Sequence, residues 1–340
     1  IFNCSASNHK GKTKAAYSHN FRSLLIRDEV ELPLLFVPFG MTSLLMDNLR
    51  VRFRTRNKLL RDIMAEFFGT FILVLGGCSS TAQYKLSAGT YMADYTSVAF
   101  GWGLALLVGL LVSHRTSGGH LNPAVSFFLL SQGKISVVRF VCYSLAQNIG
   151  AFFSSAFVYI VYYDAIAAFD GGIRQVTGEK ATAGIWATYP AAFLTTRGAI
   201  LDQIVGTMVL CIGVAGISDS RTQVPTHMRP FFAALLVTLI GMSLGLNAGY
   251  AINPARDFGP RLFTAIAGYG WECFSFRDYS YFWVPIVCPV IGATLGAWIY
   301  EFAIGFHLPD DEEEEEQTTS SQLGESTLSQ YEVKTQSIPF

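Results

Sequence analysis

Two identical triplets, each an asparagine followed by proline and alanine, are the residues best suited to present polar groups to a small molecule. They are Asn122-Pro123-Ala124 and Asn253-Pro254-Ala255. Asparagine followed by proline is typical of a helix start, because Asn caps the first turn and Pro fits its first position. Apolar residues flank both triplets, so both helices are predicted to begin inside a membrane, with free N–H groups and a positive dipole end. Such a start is tolerated there only beside protein or a wet cavity. The triplets therefore predict two half helices that face a polar cavity.

Two charged side chains lie inside apolar stretches, where a charge is costly and is expected to face a cavity or a partner. Arg256 directly follows the second triplet, so its charge adds to the positive end of that helix dipole. Glu66 lies in the first apolar run, and we predict that it accepts hydrogen bonds from backbone N–H groups of the first re-entrant loop. His120 precedes the first triplet. It is either a pH sensor or a ring that braces the half helix, and the sequence leaves both open.

Long apolar helices must position these residues. The chain has 340 residues, of which 51% are hydrophobic and only 14% are charged, whereas soluble globular proteins have about 25% charged residues. Six apolar runs approach the ~20 residues that a spanning helix needs. They extend over about 63–83, 97–112, 135–162, 201–217, 231–246 and 282–306. This pattern predicts an all-α membrane protein with six transmembrane helices and two re-entrant half helices.

The two halves of the chain resemble each other. Glu66 precedes a Gly-Thr pair in the first run, and Gln203 precedes a second Gly-Thr pair at the same spacing in the fourth. The repeats, about 62–165 and 200–306, each contain three spans, so the second enters the membrane from the opposite side. An inverted repeat with broken helices has its site near the midplane, between the halves. Gln203 is neutral where Glu66 is acidic, but its side-chain oxygen still accepts hydrogen bonds.

Other classes of function find little support in the residues. Most of the six cysteines lie in apolar runs, where a thiol is a small hydrophobe, so no disulfide framework is predicted. No metal-ligand cluster and no pair of nucleophile and base stands out, so we predict no enzyme, no cofactor and no metal, and no nucleic-acid partner. A secondary transporter remains an alternative because such proteins also use inverted repeats and broken helices. Glu66 is the one carboxylate that could couple such a transporter to an ion.

Two Asn-Pro-Ala half helices in a six-span inverted repeat resemble the aquaporin (major intrinsic protein) family over about residues 61–308. The finer pattern resembles the aquaglyceroporin branch, whose marks here are Asp257 after the arginine, the pair Tyr162 and Tyr163, the stretch 182–190, and Pro289 before an aliphatic residue. The resemblance implies an aquaporin-like fold. It also implies a passive channel for glycerol and other small uncharged solutes together with water, which excludes protons and ions. A strict water channel is the alternative, against which Gly241 and Asp257 argue.

The resemblance also implies roles for individual residues in the pore. Asn122 and Asn253 donate side-chain N–H groups at the middle of the pore. The selectivity filter consists of Trp102, Gly241, Tyr250 and Arg256. Strict water channels typically have His at the position of Gly241, so this glycine is expected to leave width for a larger solute.

Backbone carbonyls are expected to form a ladder of acceptors along one wall. They come from Gly118, Gly119, His120 and Leu121 before the first triplet, and from Gly249, Tyr250, Ala251 and Ile252 before the second. Glu66, Gln203 and Asp257 are expected to support these two loops.

The domain organisation and the partners follow from the same features. Residues 1–45 are an N-terminal tail or an extension introduced by gene prediction, 46–61 a basic cytoplasmic segment, 62–308 the aquaporin-like channel domain, and 309–340 an acidic disordered tail. Basic residues beside the first span favour cytoplasmic termini. The expected partners are glycerol, water, urea as a further candidate, the lipid bilayer of the plasma membrane, and three further subunits in a homotetramer. In the connection 164–197, Trp186 and Tyr189 are predicted to be interface anchors.

Overall fold

The computed structural model describes residues 39–87 and 94–309. The predicted N-terminal tail as far as residue 38, and the acidic tail from residue 310, lie outside the described residues. The described chain divides into two units, with the boundary between Thr55 and Arg56. Helix α1 (Phe39–Phe53) belongs to the first unit and has Arg50 and Arg52 in its last turn. The remaining helices all belong to the second unit.

Six helices of the described chain are long and apolar enough to cross a membrane, with mean hydropathies from 1.5 to 2.0. This finding confirms the six predicted spans. The helices are α2 (Lys58–Leu86), α3 (Tyr95–Ser117), α5 (Val137–Asp170), α6 (Thr196–Ser218), α7 (Arg229–Ala248) and α10 (Val284–Ala303). The described part of the chain contains no β-strand.

Two short helices begin at the predicted triplets. Helix α4 (Pro123–Ser131) follows Asn122, and helix α8 (Pro254–Thr264) follows Asn253. Both asparagines have extended backbone dihedrals and cap the helix with the side-chain oxygen, while the proline occupies the first turn. The local sequence alone dictates this start, because Asn satisfies the free N–H groups and Pro has no N–H to satisfy. A further single-turn helix, α9 (Glu272–Ser275), follows α8.

The helices of the two halves pack in the same order. In the first half, α2 lies against α3 and α5; in the second half, α6 lies against α7 and α10. Each half helix also packs against the third long helix of the opposite half, α4 against α10 and α8 against α5. This exchange brings the starts of α4 and α8 to the centre of the unit, where the repeat places its site.

Candidate functional site

The two triplet asparagines line one cavity of about 240 Å³. The loops that precede α4 and α8 contribute its polar lining: Gly118, Gly119, His120, Leu121, Tyr250, Ala251 and Ile252. Aliphatic side chains from the long helices and α4 line the rest: Leu73, Leu106, Leu110, Val125, Leu129, Leu210, Val214, Ile217, Ala233 and Val237. The cavity therefore combines a strip of backbone polar groups with a broad apolar surface.

Each triplet asparagine connects the two halves. The Oδ1 atom of Asn122 accepts from the N–H of Ala124 at 2.8 Å, and its Nδ2 donates to the carbonyl of Ile252 at 2.9 Å. Asn253 does the same in reverse, with its Nδ2 donating to the carbonyl of Leu121 at 2.8 Å. A side-chain amide has two N–H donors. Each asparagine therefore keeps one N–H for a molecule in the cavity.

Four backbone carbonyls beside the cavity accept no hydrogen bond from any residue that the structure describes. They belong to Gly119, His120, Tyr250 and Ala251. A buried carbonyl needs a donor, which at such a site is water or a bound molecule. Leu121, Tyr250 and Ile252 have φ angles of 51°, 37° and 40°, a left-handed conformation that non-glycine residues rarely adopt. Such strain persists only where the surroundings fix the backbone, so the loops need strong support.

Glu66 supports the first loop. Its fully buried carboxylate accepts from the N–H groups of His120 at 2.9 Å and of Leu121 at 2.8 Å. It also accepts from the Ser117 hydroxyl at 2.6 Å and from the Gln147 amide at 2.7 Å. Hydrogen bonds to an ionised acceptor are roughly twice as strong as neutral ones. The geometry is the one predicted for Glu66, an acceptor for backbone N–H groups.

Gln203 supports the second loop with fewer bonds. Its Oε1 accepts from the N–H of Ile252 at 3.0 Å. Its Nε2 donates to the carboxylate of Asp202, also at 3.0 Å. Thus one neutral acceptor holds the strained Ile252, whereas a charged acceptor with four donors holds the first loop.

His120 is packed between two neighbours. Its Nδ1 lies 3.0 Å from the Ser126 hydroxyl, and its ring meets that of Tyr143 edge to face at a centroid distance of 5.0 Å. Of the two alternatives that the sequence left open, this geometry fits a ring that braces the half helix.

Arg256 and Trp102 contact each other beside the cavity, and Tyr250 also lines it. The guanidinium carbon of Arg256 lies 4.1 Å from the Trp102 ring centroid, within the range of a cation–π contact. Its Nη1 donates to the carbonyl of Trp186 at 2.6 Å. All three predicted residues line the cavity, which here presents a cation, an indole and a phenol ring together.

Gly241 and Gly249 are not among the described residues that line the cavity. A β-carbon added to Gly241 would lie 2.9 Å from Cζ of Tyr250 and 3.1 Å from Cβ of Ala99. Gly241 therefore leaves room for the Tyr250 ring. Its effect on the width of the cavity acts through the position of that ring.

Trp186 is also placed differently from the prediction. It was predicted to be an interface anchor, but it is fully buried, so that prediction was wrong. It contacts Arg256 through a backbone carbonyl, an atom that every residue has. In the sequence, only the resemblance of the stretch 182–190 to the aquaglyceroporin branch indicates that this segment contributes to the site.

Sequence reasoning missed the residues that fix Trp102. Its indole N–H donates to the hydroxyl of Thr81 at 3.2 Å. Its ring lies so close to Gly77 that a β-carbon there would lie 2.2 Å from ring atoms. Both residues lie on α2, across the helix interface from Trp102, and a glycine and a threonine in a membrane helix give no sequence signal of this role.

Asp257 ties α8 to the stretch that contains Trp186. Its carboxylate accepts from the backbone N–H and hydroxyl of Thr188, at 2.7 and 2.6 Å. It also pairs with Arg261 at 2.8 Å, and both side chains of this ion pair are fully buried. Arg261 in turn donates to the carbonyl of Thr188 at 2.7 Å. Removing one partner of a buried pair leaves an uncompensated charge, so the pair holds this loop firmly beside Arg256.

The charges along the cavity have one sign. Arg229 and Arg256 both line the cavity, while none of the described lining residues is aspartate or glutamate. No cluster of three or more His, Cys, Asp or Glu side chains in the described chain could hold a metal ion. The cavity offers hydrogen-bonding groups and positive charge.

Comparison with known proteins agrees with this geometry. Residues 54–300 match the family model described as Major intrinsic protein. The chain is 44% identical to Aquaporin-9 of Rattus norvegicus over 261 residues, covering 76% of this chain and 88% of the relative. It is 38% identical to Aquaporin-10 of Homo sapiens, covering 81% and 91%. The solved aquaglyceroporin from Plasmodium falciparum is similar with a TM-score of 0.65 and 32% identity, covering 72% of this chain and 97% of that one. The chain therefore belongs to the major intrinsic protein family, whose members are channels and not enzymes.

Proposed function

We propose that the cavity is a passive pore for glycerol and other small uncharged solutes together with water. The observation that carries the proposal is the division of the lining into free backbone acceptors and aliphatic side chains. Unpaired carbonyls and the two spare asparagine N–H groups suit a molecule with hydroxyls along one side. The aliphatic side chains suit its carbon backbone, since apolar surface gains by leaving water.

Arg256, Trp102 and Tyr250 form the filter in this proposal. A guanidinium has five N–H donors, and the carbonyl of Trp186 accepts from one of those of Arg256. The other donors of Arg256 can bind solute hydroxyls. The two aromatic rings provide an apolar face for the solute carbons. Positive charge at the filter, with no described lining carboxylate to offset it, opposes cations and protons, as in other aquaporin-type pores.

Two alternatives explain less. A strict water channel leaves the wide aliphatic lining without a purpose, and the relatives include a structure titled as an aquaglyceroporin. A secondary transporter requires movement of one half against the other. Crossed hydrogen bonds from Asn122 and Asn253 oppose that movement. The one carboxylate predicted for ion coupling, Glu66, is already engaged by four donors.

The setting of the pore is part of the proposal. Urea is a further candidate solute, because it is small, uncharged and rich in hydrogen-bonding groups. The pore lies in the plasma membrane, with both termini in the cytoplasm, as the basic residues of segment 46–61 beside α2 favour. The assembly is a homotetramer with one pore in each subunit. Cross-linking in the membrane and protease protection of tagged termini test these points.

Proteoliposome swelling tests the function directly. Vesicles with purified protein are exposed to gradients of glycerol, urea and sucrose, and shrinkage under a sucrose gradient gives the water permeability. We expect glycerol entry well above that of empty vesicles, linear in glycerol concentration, and no dependence on a proton gradient. Water transport without glycerol entry would establish the strict water channel. Saturation, or dependence on an imposed proton gradient, would establish the transporter.

A further inference from the structure

We infer that Asp202 is a positioning residue for the second pore loop, and that it acts by fixing the side-chain amide of Gln203. The inference rests on the proposed pore function and adds a residue that no sequence pattern singled out. Asp202 lies on α6 directly before Gln203 and is partly buried. Its carboxylate accepts from Gln203 Nε2 at 3.0 Å through Oδ2 and from Asn247 Nδ2 at 3.1 Å through Oδ1.

Gln203 needs a partner because its side-chain amide could adopt either of two orientations. An amide presents an oxygen and an NH₂ group of nearly the same shape. Only the oxygen can accept from the N–H of Ile252, at 3.0 Å. If the amide turned over, its NH₂ group would face that N–H, and two donors would oppose each other. A carboxylate at Asp202 accepts and does not donate, so it selects the orientation in which Nε2 points to Asp202 and Oε1 to Ile252.

The chain of hydrogen bonds continues from Gln203 into the pore. Ile252 is strained, with a φ of 40°, and the bond from its N–H to Gln203 holds it in place. Its carbonyl accepts from Asn122 Nδ2 at 2.9 Å. The position of the carbonyl that accepts from Asn122 therefore depends, through Ile252 and Gln203, on the charge of Asp202.

Asp202 also fixes the chain just before the second loop. Asn247, which donates to Asp202, lies in the last turn of α7, and its carbonyl accepts from the N–H of Ala191 at 2.8 Å. Asp202 thus connects α6, the end of α7 and the stretch 182–191. In the first half, one residue, Glu66, provides both the charge and the contact with the loop. In the second half, the charge is on Asp202 and the contact is on Gln203.

The test moves the negative charge from position 202 to position 203. In Asp202→Asn the charge is lost and one oxygen must serve two donors. In Gln203→Glu a carboxylate faces that of Asp202 across a site where the present partners are 3.0 Å apart. In the double variant the charge moves to position 203, where it accepts from Ile252 directly, as Glu66 does in the first loop. Asp164→Asn, which removes an exposed carboxylate on α5, is the matched control.

We expect glycerol and water permeability to fall about tenfold in each single variant, because a lost charged hydrogen bond of about 1.4 kcal/mol corresponds to a factor of ten. The double variant should recover to within about threefold of the native protein on the same scale. Asp164→Asn should equal the native protein. Permeability is divided by the amount of protein in the vesicles, and thermal unfolding in detergent reports the fold of every variant.

If Asp202 only stabilised the fold, a second substitution would lower permeability further. Recovery of permeability in the double variant therefore indicates a positioning role. Native permeability in Asp202→Asn, or a double variant no better than the single ones, overturns the inference. If Asp202→Asn fails to fold, the comparison of Gln203→Glu with the double variant still separates recovery from added damage. If the native protein conducts water but no glycerol, the proposed solute is wrong, and the water permeabilities of the same variants still decide the role of Asp202.

Discussion

The starts of α4 and α8 share a backbone and differ in where they carry charge. Both have the same triplet, the same asparagine cap and a residue after the triplet that lines the cavity. In the first half that residue is Val125, and the charge is behind the loop, on Glu66. In the second half it is Arg256, and the group behind the loop is the neutral Gln203. The first half therefore holds its loop by direct contact with a charged side chain. The second half holds its loop through a neutral side chain and has a charged side chain, Arg256, at the cavity.

This difference shows how a repeat can divide its tasks. A strongly anchored first loop gives a rigid acceptor strip, because Glu66 receives four hydrogen bonds. The second loop precedes the filter arginine. There the neutral Gln203 makes the contact with the loop, and the carboxylate is on the neighbouring Asp202. Substitutions in both halves test this division, and those at the two anchors should reduce flux and stability most.

Replacing each anchor by alanine should have unequal effects. Glu66→Ala removes the acceptor of four donors, and it leaves the N–H groups of His120 and Leu121 unsatisfied. Each unsatisfied buried donor costs about 1–3 kcal/mol, so we expect little folded protein and no flux. Gln203→Ala leaves the N–H of Ile252 unsatisfied and should cost about 1–3 kcal/mol. Thermal unfolding in detergent and glycerol flux measure both. Equal losses in the two variants would contradict the comparison.

Exchanging Val125 and Arg256, the residues after the two triplets, should change proton exclusion and glycerol flux. Arg256→Val makes the second triplet read like the first and removes the filter charge. A unit charge at 4 Å contributes about 4 kcal/mol at an intermediate dielectric, so proton leak should rise by at least about tenfold. Water flux should persist. The measurement is proton flux under a clamped gradient, with Val125→Arg as the reciprocal variant, which should obstruct glycerol. An unchanged leak in Arg256→Val would remove the proposed role of this charge.

Removing either triplet asparagine should have a similar effect, because the two occupy equivalent places. Asn122→Ala and Asn253→Ala each lose one bond between the halves and one donor to the solute. We expect glycerol flux to fall about tenfold in each, the equivalent of about 1.4 kcal/mol. Stopped-flow light scattering on vesicles with equal protein content measures the effect. A strong loss in one variant alone would show that the pore is less symmetric than its backbone.

Gly241→Ala should have the smallest effect. Its β-carbon would approach Tyr250 to 2.9 Å, so the ring must move by a few tenths of an ångström. We expect glycerol flux to fall about threefold, since overpacking costs at least about 1 kcal/mol, with a smaller change for water. The ratio of the two fluxes is the measurement, with expression level as the control. Equal losses of both would indicate a general packing defect.

The spanning helices and the two half helices could be predicted from the sequence because their signals lie in neighbouring residues. The six apolar runs and the two Asn-Pro starts depend on composition and on neighbouring residues, and the structure contains the six helices and both caps. The features that escaped prediction depend on contacts between distant segments. Trp186 acts through a backbone carbonyl, Gly241 through the packing of Tyr250, and Asp202 through an amide of its neighbour. No spacing along the chain reveals such contacts.

The crossed bonds from Asn122 and Asn253 limit what this protein can do for a cell. Each half donates to a carbonyl of the other, so neither can move away without breaking both bonds. A pore without a conformational cycle performs no osmotic work, and each solute moves only down its own chemical-potential gradient. This protein therefore cannot by itself accumulate glycerol in a cell. A reaction that adds a charged group to glycerol would retain it, because a pore that rejects ions does not conduct the product.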